Sequence, residues 1–528
     1  MLRSALGLNG AMTAPHRAAA LAGHEILAAG GSAIEAMVAA AAAIAVVYPH
    51  MNGIGGDGFW LIKRPGEAPI GIFAAGQAAA LATPEWYAAQ GHRDAIPTRG
   101  GLAALTVPGT IGGWNEALGH VAEGRRLPLG TLLARAIAYA EDGISVTGNQ
   151  SICTAEKRAG LIDVPGFADV YLPGGEAPAP GARLRQPALG RTLRRLAEDG
   201  LGSFYDGPLA EAQARFLKAN GSPLRASDFR DYRARTVTPL QHDTRFGRLW
   251  NMVPPTQGVS SLMILSLFDR LGVTEGEGYA HLHSLIEATK QAFIWRNAEL
   301  GDAAEMAGTP EDWLSDARLD AMAAAIDPDR ALPWPHEPKA GDTIWMGACD
   351  GDGTMVSFIQ SVYWEFGSGL TCPETGIVFQ NRGAGFSLGE GPNRLAPGKR
   401  PFHTLNPAMA ELNDGRVMAY GTMGGEGQPQ TQAAIFSRYA QFGMDLQAAV
   451  TAPRWLLGRT WGDAATTLKL EERFDPALTD ALRKAGHEVE ILPPFSDLVG
   501  HAGAVVRHPD GLIEAATDPR ADGAALSY

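Results

Sequence analysis

Cysteine is scarce in this 528-residue chain: Cys153, Cys349 and Cys372 are the only three, and they stand far apart. A disulfide framework is thereby excluded and no CxxC pair is offered to a metal, so buried structural thiols in a reducing compartment are expected. Basic charge is in deficit as well. Lys and Arg number 44 against 57 Asp and Glu, a net charge of −13, the opposite of the clustered cationic footprint of nucleic-acid binders. The longest apolar run, AMVAAAAAIAVVY at 36–48, falls short of the roughly 20 residues that a membrane helix needs. The opening MLRSALGLNGAMTAPH has no apolar core of signal-peptide length. A soluble cytoplasmic protein, with no nucleic-acid or membrane partner, is the expectation. Neither G-x-S-x-G, HExxH nor a P-loop occurs, which leaves serine-elbow hydrolysis, zincin chemistry and nucleotide hydrolysis without support. His281 and His283 are two apart and point to different sides of a helix, so no metal and no cofactor are expected.

What is present suits a folded protein: 45% of residues are hydrophobic, and 65 Gly and 35 Pro are dispersed rather than clustered. The length exceeds the roughly 250–300 residues at which single cores stop growing, allowing two conventional domains or one large layered fold. Residues 14–29 have helical composition and stop at Gly30-Gly31. Ser32 with Glu35 three residues later predicts a capping box that opens an Ala-rich helix ending near Pro49. That helix is apolar on nearly every face and should be buried. A literal G-x-G-x-x-G follows at Gly53, Gly55 and Gly58. The order here is helix, loop, then the strand-like FWLIKR, the reverse of a dinucleotide-binding unit, and position 78 is Ala where an acid would be wanted.

Helical stretches are expected at 110–122, 190–199, 208–219 and 278–300, and an exposed connector at 305–341. Beyond it, TIWMGACDGDGTMVSFIQSVY reads as two strands joined by the turn Asp350-Gly351-Asp352-Gly353. Further strands are expected at 376–380, 407–412 and 416–421, followed by two helices over 431–453. Strands with helices grouped around them predict a layered α+β sandwich whose first half is mostly helical.

Asp342-Thr343, where the connector meets the first strand, is the place to weigh for chemistry. Most threonines that open a strand merely favour extended backbone. The functional alternative is an N-terminal nucleophile, since a Thr freed at its amino end carries its own base, an amine titrating near 7.7–8.0. Ser361, on the returning strand, could bond the Thr343 side chain. Gly424-Gly425, after a strand, could offer bare N–H groups to an oxyanion, although an ordinary glycine turn reads the same.

Longer stretches carry a resemblance. GGSAIEAMVAAAAAIAVVYPHMNGIGGDGFWLI, LTVPGTIGGWNEAL, PPTQGVSSLMIL, EATKQAFIWRNAELGD, DTIWMGACDGDGTMVSF, YGTMGGEGQPQTQ, FGMDLQAAVTAPRW and DPRADGAALSY together resemble the γ-glutamyltransferase family of N-terminal nucleophile hydrolases over nearly the whole chain. The resemblance implies an αββα sandwich and a proenzyme that cuts itself between Asp342 and Thr343. The products would be a large subunit, 1–342, and a small one, 343–528, which stay together as one structural unit, with a dimer of such pairs expected. Thr343 would attack an amide carbonyl, Ser361 would match the family's second hydroxyl, and Gly424 and Gly425 its oxyanion hole. The glycines after residue 52 would be the family's N-terminal signature near the active site.

The departures concern substrate. The family's anchors for a zwitterionic glutamate are replaced: Ala75 stands at its Arg position, Tyr363 at an Asn, Arg382 and Gly385 where groups facing the α-amine belong, and His403 with Thr404 at a double Ser. An ammonium beside Arg382 would meet a like charge, whereas a guanidinium suits a carboxylate. The alternative is that Arg382 pairs with a structural acid, Glu374 or Glu426. The pattern is similar to the branch of the family with acylase-like and oxamate-hydrolysing members. A small acidic amide, with oxamate the best single choice, is therefore the expected substrate. A γ-glutamyl hydrolase or transferase with altered anchors, and an unprocessed binding protein without activity, are the competing readings.

Overall fold

A computed structural model of the chain describes residues 3–334, 342–458 and 467–528, with Asp342 described through its backbone. Its skeleton is two seven-stranded sheets. One runs Ala5–Gly7, Ile513–Thr517, Ala502–Arg507, Val417–Thr422, Ala408–Leu412, Gly247–Asn251, Leu240–Thr244; the other runs Ala524–Ser527, Gly10–Ala14, Asp342–Asp350, Met355–Tyr363, Asp57–Lys63, Ile70–Ala74, Arg235–Val237. Strands from either side of residue 342 interleave in both sheets.

Side-chain alternation sorts each strand between two cores, because successive residues point to opposite faces. In Asp342–Asp350, Trp345 and Cys349 join a cluster with Phe59, Met409 and Val505 between the sheets, while Ile344, Met346 and Ala348 face a second cluster built on helices. Arg17–Ala28, Ala33–Val47 and Leu129–Asp142 supply that outer layer. A third cluster covers the other sheet with Gly258–Arg270, Tyr279–Glu299 and Gly427–Phe436. Three apolar seams among helix, sheet, sheet and helix make a four-layer αββα sandwich.

The local signals explain the elements nearest the site. Ser32 and Glu35 form the expected capping box, and all fifteen residues of Ala33–Val47 are buried, as an all-round apolar helix requires. The loop after it admits neighbouring backbone. A Cβ added at Gly55 would lie 2.0 Å from the Val378 carbonyl oxygen, and one at Gly56 would lie 2.0 Å from that of Ser361. Asp342–Asp350 and Met355–Tyr363 pair antiparallel around the expected turn.

Two expectations fail. Residues 376–380 form no strand, only isolated bridges from Val378 to Thr371 and from Phe379 to Gly55, because the 368–372 loop takes up backbone groups of Ile377 and Phe379 and Gly55 takes the Gln380 N–H. The stretch from 305 is not a bare connector: it carries the helices Pro310–Trp313 and Asp316–Ala324, whose Trp313 and Leu319 are buried. Its last part, 335–341, lies outside the described residues. No helix among the described residues is long and apolar enough to cross a membrane.

Replacing Gly56 with Ala is expected to cost about 1–3 kcal/mol or more, since backbone cannot yield as a side chain can. Gly119→Ala, which meets nothing within 4 Å, should stay within about 0.5 kcal/mol of the parent. Urea midpoints compared at constant m would separate the two.

Candidate active site

Register places the nucleophile candidate. Asp342 pairs with Tyr363 and Ile344 with Gln360, so Thr343 alone stands opposite Ser361 and Val362. This bulge re-aims side chains, as bulges beside active sites do. Thr343 and Ser361 are both fully buried. The Gln428 amide donates to Thr343 Oγ1 at 3.4 Å, and Gln428 Oε1 in turn accepts from Asn406 Nδ2 at 3.1 Å. Gln428 lies in the helix Gly427–Phe436, directly after the Gly424-Gly425 turn. That turn therefore shares an element with the group that touches the threonine.

Gly424 and Gly425 adopt φ of 114° and 51°, a region that suits glycine. Among the described residues neither N–H donates a hydrogen bond. The turn is tied down from behind. Gln257 Nε2 donates to the carbonyls of Gly425 (2.7 Å) and Thr404 (2.8 Å), and Arg296 donates to Gln257 Oε1 at 2.9 Å while pairing with Glu426 at 2.8 Å.

Tyr363 has φ of 85°, a strained value for a residue with a side chain, costing on the order of 1–3 kcal/mol. Its N–H donates to Ser361 Oγ at 2.7 Å, and its ring lies 4.0 Å from the Arg382 guanidinium. Arg382 also donates to Thr404 Oγ1 at 3.3 Å and, at the limit of 3.5 Å, to Ser361 Oγ. Thus Ser361, Tyr363, Arg382 and Thr404 form one neighbourhood, and His403 adjoins it through the chain.

Arg382 is the anomaly of this neighbourhood. The other buried arginines each meet a carboxylate: Arg296 meets Glu426, Arg438 Glu277, Arg454 Asp518, and Arg520 both Glu471 and Asp518. Arg382 is fully buried yet forms no salt bridge among the described residues, and its Nε has no hydrogen-bond partner there. Burial lowers its pKa to about 10, so it stays a cation at neutral pH. The expected alternative fails on geometry, since Glu426 is taken by Arg296 and Glu374 sits at the surface with Arg215, 3.7 Å away.

His403 is equally buried, and its Nε2 lies 3.0 Å from Asp57 Oδ2. Burial first, then the Arg382 charge, lowers its pKa to about 4. Asp57, which opens the strand after the glycine loop, was not among the candidates. Nor was Gln428, nor Arg400, whose Nε donates to the Ala75 carbonyl at 3.0 Å. A cavity of about 690 Å³ lies elsewhere, among Ser32, Glu35, Arg126, Asp352 and Tyr528, and includes none of these groups. The one cluster with metal-ligand composition among the described residues, His283, Glu287 and His487, is occupied internally. The two rings share a hydrogen bond of 2.9 Å, and the Lys290 ammonium sits 2.7 Å from Glu287 Oε1, where it opposes a second cation.

The family model for Gamma-glutamyltranspeptidase matches residues 19–528. The chain is 55% identical to the oxamate amidohydrolase proenzyme of Klebsiella pneumoniae, over 100% of both chains. It is 38% identical to the glutathione hydrolase-like YwrD proenzyme of Bacillus subtilis, again over 100% of both. Among solved structures, the cephalosporin acylase from Bacillus halodurans superposes with a TM-score of 0.91 at 33% identity, covering 100% of this chain and 97% of that one. The chain belongs to the gamma-glutamyltranspeptidase family of N-terminal nucleophile hydrolases and is an amide-hydrolysing enzyme.

Proposed function

We propose that the protein is a proenzyme that cuts itself between Asp342 and Thr343, and that Thr343 then hydrolyses a small acidic amide, oxamate to oxalate and ammonia. The observation that carries the substrate class is Arg382. An unpaired buried guanidinium costs several kcal/mol, and a substrate carboxylate would complete it as carboxylates complete the other buried arginines. The 55% identity to an oxamate amidohydrolase proenzyme supports the same choice.

In this reading the freed Thr343 amine takes the proton of its own hydroxyl as Oγ attacks the amide carbonyl. The N–H groups of Gly424 and Gly425 stabilise the oxyanion, and Ser361 orients the nucleophile. Collapse of the tetrahedral intermediate breaks the C–N bond, with the amine returning the proton to the departing ammonia. Water, activated by the same amine, then cleaves the acyl-threonine ester. The Tyr363 ring and Thr404 hydroxyl hold Arg382 for the acid group. The two pieces would stay associated, as a dimer of such pairs. A cytoplasmic setting fits the buried free thiols of Cys349 and Cys372.

Intact mass of purified protein is expected to show two chains beginning at Met1 and Thr343, while Thr343→Ala should remain one chain with no activity; cleavage of that variant would refute the nucleophile. Arg382→Met should still process but lose about 100-fold or more in kcat/KM for oxamate, a charge-assisted bond plus desolvation. Turnover of γ-glutamyl-p-nitroanilide instead of oxamate by the parent would sink the acidic-amide reading. The acid limb of kcat/KM should follow the Thr343 amine near pH 7.7–8.0, because the base must be unprotonated. His403, neutral above about 4, should add no inflection near 6.5.

A further inference from the structure

The reading above leaves the Asp57–His403 pair without a task, yet it is among the most tightly built features near Arg382. Asp57 Oδ1 accepts from the Gly76 N–H at 3.0 Å, the Gly109 N–H at 3.1 Å and the Gln380 amide at 3.1 Å. Its Oδ2 faces His403 Nε2 at 3.0 Å. A carboxylate on which three N–H donors already converge is an acceptor throughout, which assigns the proton of that last contact to Nε2. Nδ1 of the neutral ring is then a bare acceptor.

Backbone bonds and a ring contact hold the residue in place. The His403 N–H donates to Pro255 O and its carbonyl accepts from the Gln257 N–H, both at 2.9 Å. The Phe59 ring packs edge-on against the imidazole at 4.8 Å. Nδ1 is buried with no hydrogen-bond partner among the described residues. A buried acceptor left unmade costs about 1–3 kcal/mol, and such exceptions concentrate at functional sites. Arg382 Nε is the complementary case, a buried donor likewise unpartnered. Thr404, next to His403 in the chain, accepts from the Arg382 guanidinium, which joins the two orphans in one neighbourhood.

We propose that Asp57 locks His403 as an acceptor for a substrate N–H, so that the site selects short acids bearing an N–H donor beside the carboxylate held by Arg382. The inference rests on the acidic-amide reading and deepens it. Oxamate offers both groups across one C–C bond. His403 takes no proton in this scheme; it binds the amide nitrogen while the Thr343 amine handles the proton. A consequence follows for release. Hydrolysis replaces the N–H donor by a carboxylate oxygen that faces the Nδ1 lone pair, so oxalate is held less well than oxamate.

Two substitutions dissect the ring. His403→Gln keeps a donor toward Asp57 and withdraws the acceptor at Nδ1. His403→Asn drops the Asp57 bond and returns a carbonyl oxygen near the Nδ1 position. Each is first checked by mass for the break at Asp342–Thr343, then assayed on oxamate and on mono-ethyl oxalate, which keeps the carboxylate and lacks the N–H. His403→Gln should lose roughly tenfold or more in kcat/KM on oxamate and stay within about threefold on the ester, with His403→Asn recovering part of the loss. Equal losses on both substrates, or none, would overturn the assignment while leaving the acidic-amide reading in place. A readout on the parent enzyme needs no variant: oxamate should inhibit ester hydrolysis at least tenfold more tightly than oxalate, and the reverse order defeats the proposal. A processed parent enzyme that neither binds nor hydrolyses oxamate would remove the acidic-amide reading and this inference with it.

Discussion

The hydrogen-bonded ladder around Asp342–Asp350 is the constraint on which the rest of the molecule hangs. This strand lies inside its sheet, between Gly10–Ala14 and Met355–Tyr363, and the bond proposed for cleavage is at its first residue. Met355–Tyr363 alone pairs with the start of this strand, around Thr343, and Gly10–Ala14 joins from Gly347 onward. The same ladder delivers Ser361 through the bulge, and Met355–Tyr363 in turn pairs with the strand that Asp57 opens. Thr343, Ser361 and Asp57, which meets His403, therefore stand on successive strands of one sheet rather than on separate loops. The Gly424-Gly425 turn arrives from the other sheet, between Val417–Thr422 and its following helix, so the proposed site forms where the two sheets face each other.

Electrostatics then distinguishes what holds the fold from what awaits a ligand. Buried Arg296, Arg438, Arg454 and Arg520 are each compensated by carboxylates, which satisfies the requirement that removing a charge from water be offset by a partner. Arg382 has hydroxyls, a ring and the charge of Asp57, with which it forms no ion pair, in that role. Hydroxyl dipoles and an aromatic face compensate a guanidinium only in part, so a ligand's anion interacts here more strongly than it would with an exposed arginine, where water competes.

The sequence carried the local elements well, since their causes are local. Ser32 with Glu35, the Asp350–Gly353 turn and the helix–loop–strand order around Gly55 each depend on a few adjacent residues. The resemblance carried Thr343, Ser361, Gly424 and Gly425 as a set. What stayed illegible depends on distant partners. Asp57 and His403 are 346 positions apart, and no spacing rule links them. Residues 376–380 have strand composition, but the 368–372 loop and Gly55 claim their backbone. Glu374 and Glu426 looked suitable for Arg382 by proximity in sequence, whereas Arg296 and Arg215 reach them first. Tyr363 is a further case, because its φ of 85° follows from the bulge and not from the residue.

The interleaving of strands has a bearing on time as well as on shape. Gly10–Ala14 and Asp342–Asp350 are sequence-distant neighbours, so their contact forms only after most of the chain has been synthesised and collapsed. The Asp342–Thr343 bond likewise takes its surroundings from distant residues, Gln428 against Thr343 and Asp57 opposite Ser361, none of them in place in the nascent chain. Cutting it afterwards removes a covalent link that the completed sheets no longer need, yet one that an unfolded molecule would need to find its register again. Under the proposed processing, folding is then a one-way step: the mature enzyme is held in its shape by contacts that its two severed pieces would struggle to rebuild once lost.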